Sequence, residues 1–190
     1  MKIAVIGTGH IGGTLGGTFA AAGHEVVYGS RQAAGAGPGG APVRTVAGAL
    51  SDAEVVLLAV PARVIPDLIA EHGAALAGTI VLDAVNRIGE PETNSRRLIA
   101  QAAPTALYAR AFNTLGWENF ADPPSGAAVF FAADAGARPV TQELITAVGL
   151  RPEYVGDADA AGTVDGLLPV WFALVQQHGG NRRLALRVVE

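Results

Sequence analysis

Gly7, Gly9 and Gly12 stand in the spacing G-x-G-x-x-G, filled by Thr8, His10 and Ile11, directly after the apolar run KIAVI at residues 2–6. Glycines so placed hold a diphosphate against the backbone. Gly7 permits a tight turn, Gly9 lets a pyrophosphate approach the chain, and Gly12 lets helix and strand pack closely. The amides of Thr8, His10 and Ile11 then meet the phosphates at the positive end of a helix. A chain with 25 glycines produces such spacings by chance. The weight therefore rests on context: a buried strand before, a helix after, and a second strand, HEVVY at 24–28, beyond it. His10 reads as a helix-start residue near phosphate rather than as a catalyst.

The end of that second strand selects the nucleotide. A site for NAD places Asp or Glu about 20 residues past the fingerprint to accept from the ribose hydroxyls. Here Ser30 and Arg31 stand there instead. A guanidinium pairs with a 2′-phosphate and a serine donates to it, so the expected cofactor is NADP(H). Ligands of such sheets lie beyond the carboxyl ends of the strands, which nominates Ala59, Val60 and Pro61, then Asn86, then Asn113 and Thr114. Asn86 and Asn113 either bond a carboxamide or a flavin-like ring edge, or form turns that satisfy their own backbone.

The elements that must position these residues follow from periodicity. Short apolar runs at 2–6, 24–28, 54–60, 79–83, 106–112 and 127–132, with a short strand at 153–155, read as strands buried on both faces. Helices are expected near 10–22, 45–51, 95–102, 139–148 and 161–177, and another after Pro61, which fits its first helical position. The glycine- and proline-rich run from Ala33 to Pro42 reads as a mobile surface loop. Alternating strands and helices with short connections imply parallel βαβ units. The expected fold is α/β: a Rossmann-type, doubly wound, mostly parallel sheet over residues 1–156, with a C-terminal helical extension over 157–190 packed on the same domain.

Composition excludes other classes. The chain has 190 residues, 50% of them apolar and 16% charged. No apolar run reaches the roughly 20 residues a bilayer requires, and the glycines after Lys2 argue against a secretory signal. A cytoplasmic location and no membrane partner are expected. The net charge of −4 argues against nucleic acid, and the absence of cysteine removes disulfide and thiolate chemistry. Four scattered histidines show no metal-ligand spacing, so no metal is expected. Of 13 basic residues only Lys2 is lysine, a coding bias rather than twelve functional arginines.

No Tyr-x-x-x-Lys pair or Ser/His/Asp arrangement is evident, and 190 residues leave no room for a large helical substrate domain. No catalytic acid or base is therefore nominated. That suits a partner ring that accepts hydride without a proton donor, such as a flavin or deazaflavin.

Together, Gly7 to Gly12, Gly29-Ser30-Arg31, Val60-Pro61, Arg110-Ala111-Phe112-Asn113-Thr114, Trp117-Glu118-Asn119-Phe120 and Gly149-Leu150-Arg151-Pro152 resemble the NADP oxidoreductases dependent on coenzyme F420, whose relatives include the oxidoreductase domain of the STEAP metalloreductases. The resemblance implies that Ser30 and Arg31 hold the 2′-phosphate, that Val60 and Pro61 border the nicotinamide, and that Asn113, Thr114 and Leu115 lie under the deazaflavin. It also implies a homodimer. Where methanogen-type members have His and then Thr-Ile-Pro, this chain has Asn113 and Thr114-Leu115-Gly116, closer to a broader branch of the family. The final helix, with Leu167, Leu168, Trp171, Phe172, Leu174 and Val175 at helical spacing, reads as core or a subunit seam, and Arg182, Arg183 and Arg187 as a solvated face of a C-terminal helix. The expected function is hydride transfer between NADPH and coenzyme F420 or a flavin. The alternatives are reduction of a small carbonyl or imine, and a non-catalytic NADP(H) sensor.

Overall fold

A computed structural model describes residues 1–33 and 35–189. Eight strands form one sheet in the order β3-β2-β1-β4-β5-β6-β7-β8: β1 Lys2–Ile6, β2 Glu25–Gly29, β3 Val43–Arg44, β4 Val55–Leu58, β5 Ile80–Asp83, β6 Leu107–Arg110, β7 Ala128–Ala133 and β8 Arg151–Gly156. The helices are α1 His10–Ala21, α2 Val46–Leu50, α3 Ile65–His72, α4 Arg96–Ala102, α5 Glu118–Ala121, α6 Arg138–Ala147, α7 Ala161–Asp165 and α8 Leu167–Gln177. The architecture is the expected Rossmann-type one. From β1 the chain winds outward to β2 and β3, then returns to start β4 on the other side. The sheet's switch point, where a crevice opens, thus lies at the ends of β1 and β4.

Alternation along a strand sends successive side chains to opposite faces. On β1, Ile3 and Val5 join a core with Leu15, Phe19 and Phe112, while Ala4 and Ile6 join a second core with Leu58, Ile65 and Leu68. Both faces are covered, which is why β1 and β4 are continuous apolar runs. Tyr28 is fully buried, and its ring occupies space a side chain would need at two glycines: a Cβ on Gly16 would lie 2.5 Å from its hydroxyl, and one on Gly37 2.6 Å from its ring. Glycine at both positions lets α1 and the following loop close over the tyrosine.

Three expectations need correction, while the antiparallel β7 falls within the mostly parallel sheet expected. The run from Ala33 to Pro42, of which Ala34 lies outside the described residues, contains a 3-10 turn at Pro38–Gly40 and a bridge from Ala36 to Pro42, packed on α1. Pro61 does not open a helix: a 3-10 turn at Ala62–Val64 intervenes, and Pro66 takes the place in the first turn of α3. Strand β7 runs antiparallel to β6. The segment between them stays at the carboxyl end of the sheet, where Trp117 meets His10, so the chain re-enters the sheet from that end. Finally, the helical extension stops at Gln177, because Gly179 and Gly180 adopt positive φ of 66° and 84°.

The residues beyond form an extended strap. Leu184 O accepts from Trp171 Nε1 at 2.9 Å, and Leu186 O from the amide of Ala128 at 2.8 Å. The helical run Ala158–Gln177 is long and apolar enough to cross a bilayer by length and composition, contrary to expectation. Within it, however, Asp165 is ion-paired to Arg110 and Trp171 is buried, as in a core helix. Val170 and Phe172 stand exposed on α8.

Burial pushes the Tyr28 hydroxyl up to about 12, and burial with the neighbouring Asp83 charge raises Tyr108 well above its usual range. Below the ordinary tyrosine value of about 10, both folded and unfolded chains keep these protons. Above it the unfolded chain releases them first, so stability is full below pH 10 and falls as pH rises toward 12. Urea midpoints should decline across that window, and less steeply in Tyr28→Phe; an equal slope in the variant would refute the assignment.

Candidate functional site

The turn after β1 is built by contact rather than by flexibility alone. Gly7 has φ of 115°, and a Cβ there would lie 2.4 Å from Ala59 O. A Cβ on Gly12 would lie 2.1 Å from Gly7 O. The two glycines therefore lock the turn against β4 and against the first turn of α1. Gly9, the N-cap residue of α1, has only open space within 4 Å of where its Cβ would be. No side chain caps this helix and no acidic residue lies in its first turn. The leading amides of α1 lack intrahelical partners, and an anion is the group that suits them.

A cleft of about 290 Å³ begins here. It brings together Gly7, Thr8 and Gly9 after β1, Ser30 and Arg31 after β2, and Ala59, Val60 and Pro61 after β4. Ser30 Oγ accepts from the Gln32 amide at 3.2 Å, leaving its own proton to donate. Arg31 is exposed and makes no ion pair among the described residues. No Asp or Glu among the described residues lines the cleft. Arg63, absent from the sequence expectations, lines the same cleft as a second cation. Its place two residues past Pro61, at a strand end, was the signal available. The residues fit a 2′-phosphorylated dinucleotide: a cradle that a Cβ would fill, unopposed helix amides, and cations without a carboxylate.

His10, Ile11, Gly12, Asn86, Asn113, Thr114 and Leu115 do not line that cleft. Asn113, Thr114 and Leu115 are buried, at 2%, 4% and 7% exposure. Neither asparagine acts as a local turn-former. Asn86 Nδ2 donates to Asn113 O at 2.7 Å, its Oδ1 accepts from Arg110 Nη2 at 2.7 Å, and Asn113 Nδ2 donates to Asp165 Oδ1 at 3.2 Å. They belong to a buried network whose centre is Arg110, fully buried at 0% exposure. Arg110 Nε donates to Asp165 Oδ1 at 2.7 Å, and its Nη1 donates to Asp83 O at 2.9 Å and Val85 O at 2.6 Å. Asp83 in turn accepts from the Ser95 amide at 2.6 Å and from the Tyr108 hydroxyl at 2.9 Å. The network ties α7 to the ends of β5 and β6. Beside it Phe112 holds a left-handed φ of 62°, its ring fixed edge-on between Phe19 and Phe120. Such strain needs surroundings that over-determine it.

Comparison with known proteins agrees with this geometry. Residues 2–87 match the family described as NADP oxidoreductase coenzyme F420-dependent. A protein of Arthrobacter sp. FB24 provisionally named an F420-dependent NADP reductase is similar over 100% of both chains, at 25% identity and a TM-score of 0.83. A hypothetical protein of Sinorhizobium meliloti is similar over 100% of this chain and 96% of its own, at 27% identity and a TM-score of 0.73. A reductive aminase from Aspergillus terreus, solved with NADPH and ethyl-5-oxohexanoate, shares the fold at 21% identity and a TM-score of 0.74, over 94% of this chain but 62% of its own. Over residues 2–87 the chain is thus similar to the coenzyme F420-dependent NADP oxidoreductases, and over its whole length to a fold found in NADPH-dependent reductases.

Proposed function

We propose that the protein moves hydride between NADP(H) and a planar acceptor ring, coenzyme F420 or a flavin. The observation that carries this reading is the cleft at the switch point, which joins the glycine turn to Ser30, Arg31 and Arg63 without a carboxylate. NADPH, when bound, supplies the hydride from its nicotinamide ring. The leading amides of α1 hold the pyrophosphate, with Gly9 leaving room for it. Ser30 and Arg31 hold the 2′-phosphate, and Arg63 adds a second positive charge. Ala59, Val60 and Pro61 border the nicotinamide and exclude water on that side. Asn86 braces the backbone of Asn113 rather than meeting the cofactor directly, since both ends of its amide are engaged. Asn113, Thr114 and Leu115 shape the acceptor side from beneath. Hydride transfer between two rings requires approach of about 3–3.5 Å, and a rigid crevice floor serves that requirement.

Anaerobic mixing of protein and NADPH with oxidised F420, and in parallel with FMN, FAD and a cyclic imine, tests the reading. Bleaching of the deazaflavin or a flavin is expected. Turnover of the imine alone would replace this reading with small-substrate reduction, and NADPH binding without any turnover would replace it with a sensor. Arg31→Ala should weaken NADPH about 10-fold or more and erase the preference over NADH. Unchanged preference would refute the cofactor assignment.

A further inference from the structure

Trp117 and His10 are far apart in sequence, yet their rings stack with centroids 4.8 Å apart and planes 17° from parallel. His10 heads α1, on the dinucleotide turn; Trp117 immediately precedes α5, one residue past the Asn113–Gly116 segment. Ser30 and Arg31 follow β2 on one side of β1, whereas Trp117 follows β6 on the other. Trp117 thus lies on the other side of β1 from Ser30 and Arg31, and His10 stands between them at the end of β1 itself. Asn113, Thr114 and Leu115 are themselves buried, so they present little side-chain surface to a second ring. His10 is exposed and Trp117 is partly buried against the core.

The stack is also held from behind. Asn119 Nδ2 donates to Arg182 O at 2.8 Å and to Gly116 O at 3.3 Å, and Glu118 pairs with Arg182 at 3.3 Å. A Cβ on Gly116 would lie 2.8 Å from Arg182 O, so glycine there lets the C-terminal strap reach the loop. Preorganisation of this kind removes ordering costs from binding.

From these contacts we propose that the outer face of the His10–Trp117 stack receives the acceptor's ring system and sets its specificity for planar, conjugated rings. The assignment rests on the hydride-transfer reading above. Stacking of a third ring on a fixed aromatic pair adds to area burial, and favours flat acceptors over small aliphatic ones. Trp171, the other tryptophan, is buried at 2% exposure and bonded to the strap, so Trp117 is the one a ligand can meet.

The test uses two oxidised partners, so that no turnover occurs: full-length protein saturated with NADP+ is titrated with oxidised F420 and with FMN, following tryptophan fluorescence. Quenching is expected in the wild type. Trp117→Leu should weaken ring binding about 10-fold or more while leaving NADP+ affinity intact, and His10→Ala should weaken it as well. Trp117→Phe should restore near-wild-type ring affinity. An unchanged circular dichroism spectrum and urea midpoint report that each variant is folded. Wild-type ring affinity in both Trp117→Leu and His10→Ala would overturn this inference alone. Should Trp117→Leu fail to fold, wild-type ring affinity in His10→Ala would overturn it too. A wild type that binds NADP+ but no ring would overturn the hydride-transfer reading together with it.

Discussion

Arg110→Met is expected to destabilise the protein by about 3–5 kcal/mol, the range found when one partner of a buried ion pair is removed. Arg110 has no exposed surface, and its guanidinium donates to the Asp165 carboxylate, the Asn86 amide oxygen and the carbonyls of Asp83 and Val85. Methionine fills similar space but donates nothing. The Asp165 carboxylate, with 9% side-chain exposure, would keep only its bonds from Asn94 and Asn113. Two carbonyls and an amide oxygen would also lose a donor while buried. Against a typical total of about 5–15 kcal/mol, such a loss would be plain in a urea midpoint. The double variant Arg110→Met with Asp165→Asn should recover part of it, because the orphaned charge disappears. A loss below about 1 kcal/mol in the single variant would show that water or a shifted side chain replaces the network.

This network was only partly legible in the sequence. Arg110 stood inside a recognisable segment, but its complete burial could not be read, because arginine is rarely buried without a partner and that partner, Asp165, lies on α7. The pairing of His10 with Trp117 was hidden for the same reason. By contrast, β1, the glycine turn, α1 and β2 were legible because strand, turn and helix each leave a local mark. Alternate burial on two faces produces continuous apolar strands, and steric closure at Gly7 and Gly12 demands glycine at a fixed spacing. Strand β3, with only Val43 and Arg44, is too short to carry a period. The direction of β7 leaves no mark in its composition, since it follows from where the connecting segment lies in space. Arg63 was adjacent to residues already nominated, yet one arginine among twelve is indistinguishable until the cleft shows which of them share a wall.

The dinucleotide turn offers the second large effect, because its glycines should fail in different ways. Gly12→Ala places a Cβ 2.1 Å from Gly7 O and 3.2 Å from a Val5 methyl. Gly7 cannot yield easily, since its own Cβ position abuts Ala59 O at 2.4 Å and its φ is 115°. The start of α1 must move instead, with an overpacking cost of about 1–3 kcal/mol and misaligned amides at the anion site. Gly9→Ala meets nothing within 4 Å, and its extended backbone, φ −72° and ψ −172°, suits alanine. Its stability should stay within about 1 kcal/mol of wild type. Its Cβ would nonetheless occupy space assigned to the pyrophosphate, so NADPH affinity should fall about 100-fold or more in both variants, corresponding to about 2.8 kcal/mol. Paired thermal unfolding and NADPH titration separate the two cases. Normal NADPH affinity in a well-folded Gly9→Ala protein would mean that the phosphates do not lie against this turn, and the crevice would need another ligand.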